Sequence, residues 1–199
     1  MDLRKALDQL EDIHGQMART EVYRSYRAFP MAGVGLLGIL AGVFQERILG
    51  PQPGVAFVVY WSAIAAVGLA QATAWAVTSY FRVDNAAARG RTRRVLAQMM
   101  AALLAGFVAT VAMLRADPAM LPWMPGLWAL FFAVGSFASR PYLPRGLLGV
   151  GFYFLAAGAT LLDLAPSGAS LSPWAMPLSF GVGHLLVAGL LYLNLERKS

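Results

Sequence analysis

Long apolar runs alternate with short stretches of charge, proline and glycine along most of this chain. Crossing roughly 30 Å of hydrocarbon takes about 20 apolar residues in a helix. Six runs approach that length: Ala28 to Phe44, Val55 to Tyr80, Val95 to Leu114, Pro122 to Ser139, Gly146 to Leu162, and Trp174 to Leu195. The breaks between them carry turn or charge signals. These are Gln45-Glu46-Arg47 with Pro51 and Pro53, then Arg82 to Arg94, Asp117-Pro118, Arg140-Pro141 to Pro144-Arg145, and Asp163 to Pro173. The pattern predicts an all-α integral membrane protein, a six-transmembrane-helix bundle over residues 28–195. A short tail, 196–199, follows it.

Residues 1–27 follow a different pattern. Leu3, Ala6, Leu10, Ile13, Met17 and Thr20 recur at an a/d spacing with Leu7 beside them, which predicts an amphipathic helix. Five acids (Asp2, Asp8, Glu11, Asp12, Glu21) balance five bases (Arg4, Lys5, Arg19, Arg24, Arg27). Helices that lie on anionic membranes are rich in Lys and Arg on their polar face. A neutral arm therefore fits docking on protein better than docking on lipid. Leu3, Leu7, Leu10, Ile13 and Met17 form its candidate contact stripe, so residues 2–24 are the expected contact with a cytoplasmic protein partner. The segment also lacks the apolar core of a secretory signal, so the first span is expected to act as its own uncleaved signal.

Composition agrees with lipid as the solvent. Of 199 residues, 58% are hydrophobic and only 13% charged, with 20 glycines and 11 prolines. Soluble domains carry roughly 25% charge. The chain has no cysteine, which excludes disulfides and thiolate metal sites.

A net charge of +6 could suggest nucleic acid, but the placement of the bases argues for topology. Five precede the first span. Five more (Arg82, Arg89, Arg91, Arg93, Arg94) follow the second, Arg140 and Arg145 follow the fourth, and Arg197 and Lys198 follow the sixth. That places fourteen on one side and only Arg47 and Arg115 on the other. Basic loops stay in the cytoplasm, so both termini are expected there. Trp123, Trp128 and Trp174 then fall near the outer ends of spans four and six, as an interfacial belt requires. The run Arg89-Gly90-Arg91-Thr92-Arg93-Arg94 reads as a topology signal that meets anionic headgroups, and no direct nucleic-acid binding is expected.

The even-numbered spans resemble one another. Trp61 precedes Ala66-Val67-Gly68 as Trp128 precedes Ala133-Val134-Gly135, and span six carries Phe180-Gly181-Val182-Gly183. Three related hairpins would explain this; so would the frequency of Ala, Val and Gly. On either reading, mid-span glycines let helix backbones approach closely, which is what binds helices in lipid. Gly38 with Gly42, and Gly149 with Gly151, are further small patches.

Chemistry is sparse. No metalloprotease, phosphate-loop or nucleophile-elbow motif occurs. The only histidines, His14 and His184, lie in the arm and mid-span, too far apart for a bis-histidine haem. The pattern predicts neither an enzyme nor a cofactor. Ionisable groups within a membrane are functional candidates by default. His184 is the deepest, and Gln71, Thr73 and Ser136 are expected near it. Two readings remain open: a polar site among spans two, four and six, or a histidine whose hydrogen bond to another helix locks the bundle.

The last span, Trp174 to His184 and on to Tyr192-Leu193-Asn194-Leu195-Glu196-Arg197, resembles a family of small six-span bacterial membrane proteins without assigned activity. So does the entry Ile13-His14-Gly15-Gln16-Met17-Ala18-Arg19-Thr20. In that family a tryptophan precedes an F-G-x-x-H stretch, then a tyrosine and a final Glu-Arg. Phe180, Gly181, His184, Tyr192, Glu196 and Arg197 match. Ala18-Arg19-Thr20 departs from it, standing where the family tends to show Glu-Arg-Ser. The resemblance implies the bacterial inner membrane and a gene beside a small winged-helix transcription regulator, and no substrate. The expected function is a non-enzymatic sensory, regulatory or accessory role. The alternative is a small transporter or channel with a midplane site near His184. A homo-oligomer is compatible with both.

Overall fold

The structure, a computed structural model, describes residues 27–51, 54–82, 86–143 and 145–197. Every regular element among them is helical. Helix α1 spans Ala28–Leu49, α2 Gly54–Arg82 and α3 Ala86–Ala116. A 3-10 segment, Pro118–Trp123, leads into α4, Met124–Ala138, and α5 spans Leu148–Asp163. The last helix, α6, is composite: a π turn over Pro177–Gly181, an α-helix over Val182–Leu191 and a second π turn over Tyr192–Glu196. Five of these stretches are long and apolar enough to cross a membrane, and α5 is a shorter apolar helix of 16 residues. At 1.5 Å per residue α5 covers about 24 Å. The 3-10 turns Arg145–Leu147 and Ala165–Ser167 extend it at either end.

The boundaries differ from the sequence expectation where charged residues continue a helix. Helix α1 runs on through Gln45, Glu46 and Arg47 to Leu49. It stops at Gly50, whose φ of 75° suits glycine and whose N–H bonds to the Glu46 carbonyl at 2.9 Å. Likewise the arginine run belongs to the first turns of α3 and is not a loop. Charged side chains are compatible with helix; a left-handed glycine or a proline ends one. Before α4, Pro118 and Pro122 keep the chain in 3-10 form, and the Asp117 carboxylate caps it by accepting from the Ala119 N–H at 2.8 Å.

The helices close into a ring, with the first against the last. The most extensive contacts are α4 with α5 and α1 with α6, followed by α3 with α4 and α1 with α2. Contacts of α2 with α3 and of α5 with α6 are sparse. The packing therefore does not follow three equal hairpins, because the partner of α6 is α1 and that of α5 is α4. Glycine decides both principal seams. A Cβ on Gly38 would stand 3.2 Å from the Gly181 Cα, and one on Gly181 would stand 3.2 Å from the Ile39 nitrogen. Gly126 and Gly158 face each other across α4 and α5, each Cβ position about 3 Å from the other's carbonyl oxygen (2.9 and 3.0 Å). The repeated glycines of the even spans also lie at interfaces: Gly68 on Val34, Gly135 on Ala102 and Met99, Gly183 on Phe154. In the other small patch, Gly151 packs on Phe137, whereas Gly149 faces open space.

Two apolar cores fill the ring. One joins α1, α4, α5 and α6 around Met31, Ala133, Phe154 and Leu191. The other, at the end where α1 finishes, gathers Ala41, Phe57, Trp61, Met124 and Met176. Phe180 packs against both.

A methyl group added at Gly42 would collide with the Pro177 ring and come within 2.7 Å of the Pro173 carbonyl. Gly42→Ala is therefore expected to lose about 1–3 kcal/mol, the usual cost of overpacking. Gly149→Ala, with nothing within 4 Å, should change stability by no more than about 0.5 kcal/mol. Unfolding midpoints of the two variants in the same detergent provide the check. Equal midpoints would mean that the α1–α6 seam is not close-packed.

Candidate functional site

His184 lies on the first turn of the regular part of α6 and is buried. Its Nδ1 is 2.7 Å from the Phe180 carbonyl oxygen, one turn earlier on the same helix. A carbonyl only accepts, so Nδ1 carries the hydrogen, and in the neutral ring Nε2 holds the lone pair. Three rings enclose the imidazole. Phe132 of α4 is 5.0 Å away and tilted, Phe154 of α5 is 5.9 Å away and edge-on, and Phe180 is 6.3 Å away and stacked. The phenylalanines also touch one another, with Phe132 and Phe154 4.5 Å apart between centroids. Gly183 makes room for this cluster, since a Cβ there would strike the Phe154 ring. The F-G-x-x-H stretch thus has a local rationale. Phe180 supplies the carbonyl and a ring, Gly181 lets α1 approach, and His184 turns inward.

The other sequence candidates do not join His184 in a hydrogen-bonded group. Gln71 donates through Nε2 to the Pro30 carbonyl at 3.3 Å, near the start of α1. It lies beside Gly33, while Leu185, next to His184, packs on Gly35. Ser136 donates to the Phe132 carbonyl of its own helix at 2.8 Å, and Thr73 is exposed on α2. The polar link expected between α6 and α2 is replaced by a bond within α6. A helix leaves its carbonyls within reach of a side chain four residues on, and the phenylalanines fill the space that a partner on another helix would need. Ser136 does share with Phe132 the lining of a cavity of about 30 Å³ that reaches Leu143 and Leu147. The arm stripe, Leu3, Leu7, Leu10, Ile13 and Met17, lies outside the described residues, as does His14.

A second polar group sits where the sequence suggested only a loop. Gln45 is fully enclosed near the end of α1. Its Nε2 donates to the Leu171 carbonyl at 3.0 Å, and its Oε1 accepts from the Trp61 indole at 2.8 Å. Nearby, the Tyr60 hydroxyl donates to the Ala41 carbonyl at 2.7 Å, and the Ser170 hydroxyl donates to the Pro122 carbonyl at 2.5 Å. One amide therefore ties α1, α2 and the 165–173 connection together. The only sequence signal was a glutamine one turn beyond a glycine-rich apolar run, with a tryptophan 16 residues on. Trp128 is also less exposed than an interfacial anchor should be: its indole donates to Thr110 of α3 at 2.7 Å. Trp123 and Trp174 do stand exposed at this end.

Among the described residues, no group of three or more His, Asp or Glu side chains could hold a metal ion. The chain matches no family model, no curated protein and no solved structure.

Gln45→Leu strands a carbonyl and an indole N–H in a buried position. A loss of about 1–3 kcal/mol is expected, together with faster amide exchange in residues 165–173. Unchanged exchange there would show that the glutamine does not hold the connection. His184→Leu keeps the bulk and breaks a bond within one helix, so its loss should not exceed about 1–2 kcal/mol. His184→Gln should lose less, because its amide can still donate to Phe180. Thermal midpoints measure both, and a larger loss for Gln than for Leu would show that the bond to the Phe180 carbonyl does not stabilise the bundle.

Proposed function

We propose that this chain is a six-span protein of the bacterial inner membrane, with both ends in the cytoplasm and a non-enzymatic sensory, regulatory or accessory role. The observation that carries the reading is the filled centre of the bundle. Phe132, Phe154 and Phe180 close around His184 where a transporter would need a watered path. Transporters of known design bind near the midplane, between repeats and against broken helices. Here the rings occupy that position. Support for six spans comes from α5, whose about 24 Å of helix is lengthened by a 3-10 turn at either end. Support for the orientation comes from the fourteen-to-two division of Lys and Arg.

On this reading residues 2–24 are the output element, a neutral amphipathic helix that docks on a cytoplasmic protein. The resemblance to small six-span proteins encoded beside winged-helix regulators makes such a regulator the first partner to try. The second reading, a small transporter or channel, draws on one feature: in the neutral ring, Nε2 of His184 keeps its lone pair beside Phe132, which also lines the 30 Å³ cavity. Proteoliposome flux that His184→Gln abolishes in a folded protein would favour that reading.

Reporters fused after Asn85 and after Ser199 should report cytoplasm, and one after Gly168 should report the outside. A cytoplasmic signal at Gly168 would overturn the six-span count. Crosslinking in cells should capture a soluble protein with the full-length chain and not with the chain lacking residues 1–24. Equal capture by both would remove the arm from the function.

A further inference from the structure

Helices α5 and α6 touch only sparsely. Between them lies a cleft of about 340 Å³, lined by Tyr153, Ala157 and Thr160 on α5 and by Trp174, Leu178 and Ser179 on and before α6. On the α5 side it runs from Tyr153 to Leu164. Those eleven steps of helix cover about 16 Å, close to the half-thickness of a hydrocarbon core of roughly 30 Å. The cleft thus extends from mid-membrane to the end of the bundle marked by Trp174, which is itself exposed. At the deep end the Tyr153 hydroxyl donates to the Leu178 carbonyl within the first π turn.

The chemistry of the lining narrows the occupant. A hydroxyl has one hydrogen to donate. Tyr153 donates its own to Leu178, Thr160 to the Ala156 carbonyl at 3.0 Å, and Ser179 to the Ala175 carbonyl at 2.9 Å. The inner part of the cleft therefore presents methyl groups, methylenes and committed hydroxyls, and offers no donor to a polar ligand. Ser172, beside Trp174, is the lining hydroxyl at the mouth. An apolar slot one leaflet deep with a polar rim fits an amphiphile.

We propose that this cleft is a lipid site that holds one acyl chain of a phospholipid from the leaflet on the Trp174 side, with the headgroup beside Ser172 and Trp174. The proposal needs only that the bundle lies in a bilayer and is independent of which end faces the cytoplasm. Phosphatidylcholine carrying a diazirine midway along one acyl chain, mixed into nanodiscs with the full-length protein, is the probe. After irradiation, adducts should concentrate several-fold on residues 153–164 and 174–179 relative to the exposed Val59–Val67 face of α2. They should plateau near one per protein as the probe fraction rises. Ala157→Trp, which fills the cleft, should remove those adducts and leave the α2 background unchanged. If that variant does not fold, the wild-type ratio and plateau decide. Adducts spread evenly over all exposed faces and rising in proportion to probe would mean ordinary boundary lipid and would overturn the site.

Discussion

Closure of α1 on α6 is the contact on which the rest of the bundle depends. In lipid no hydrophobic force favours one apolar helix surface over another, so association rests on how closely backbones can approach. Gly35, Gly38 and Gly42 present a face without side chains, and Pro177, Gly181 and Leu185 lie directly against it. The π turn over Pro177–Gly181 belongs to this contact. The helix widens by one residue there, where Gly38 and Gly42 bring α1 close. A register change here would move Phe180, which packs in both cores, and with it the rings around His184. The second seam, Gly126 against Gly158, works in the same way and joins α4 to α5.

Polar groups divide between bonds within one helix and bonds between segments. His184 and Ser136 bond to carbonyls of their own helices, and Ser179 to the Ala175 carbonyl just before α6. That arrangement satisfies them in a dry environment without binding one helix to another. Toward the Trp174 end, Gln45, Trp61, Tyr60, Ser170 and Trp128 bond between segments. These bonds join the ring where chain connections meet the headgroup region. Gln71 to the Pro30 carbonyl and Tyr153 to the Leu178 carbonyl are further bonds between helices. Contacts around the ring are sparsest between α2 and α3 and between α5 and α6, where Tyr153 donates to the Leu178 carbonyl and Gly183 packs on Phe154.

Phe132, Phe154 and Phe180 close around His184 and fill the space about its ring. The same geometry gives the histidine a defined ring orientation with one nitrogen committed to Phe180. A buried imidazole held in that way serves a bundle well as a packing element. It also remains the one ionisable side chain placed among the three phenylalanines, which is why both functional readings return to it.

The apolar runs and the prolines and glycines between them determined the all-α membrane architecture, because period and length alone decide what can span hydrocarbon. They also located the helices to within a few residues, except where charge was mistaken for a break at Gln45–Arg47 and along the arginine run. The importance of Gly38, Gly42 and the even-span glycines was legible too, since few roles exist for a mid-helix glycine in lipid. The partner of each helix was not legible. Apolar faces carry no address, and the sequence similarity of the even spans suggested hairpins that the packing of α6 on α1 does not follow. His184 could be singled out as a buried polar residue, but its bond to Phe180 could not, because the choice between a neighbouring helix and its own depends on which rings fill the space around it. Gln45 went unrecognised for the same reason: a glutamine near a helix end is ordinary until Trp61 and the Leu171 carbonyl, distant in the chain, are brought to its two ends by the tertiary fold.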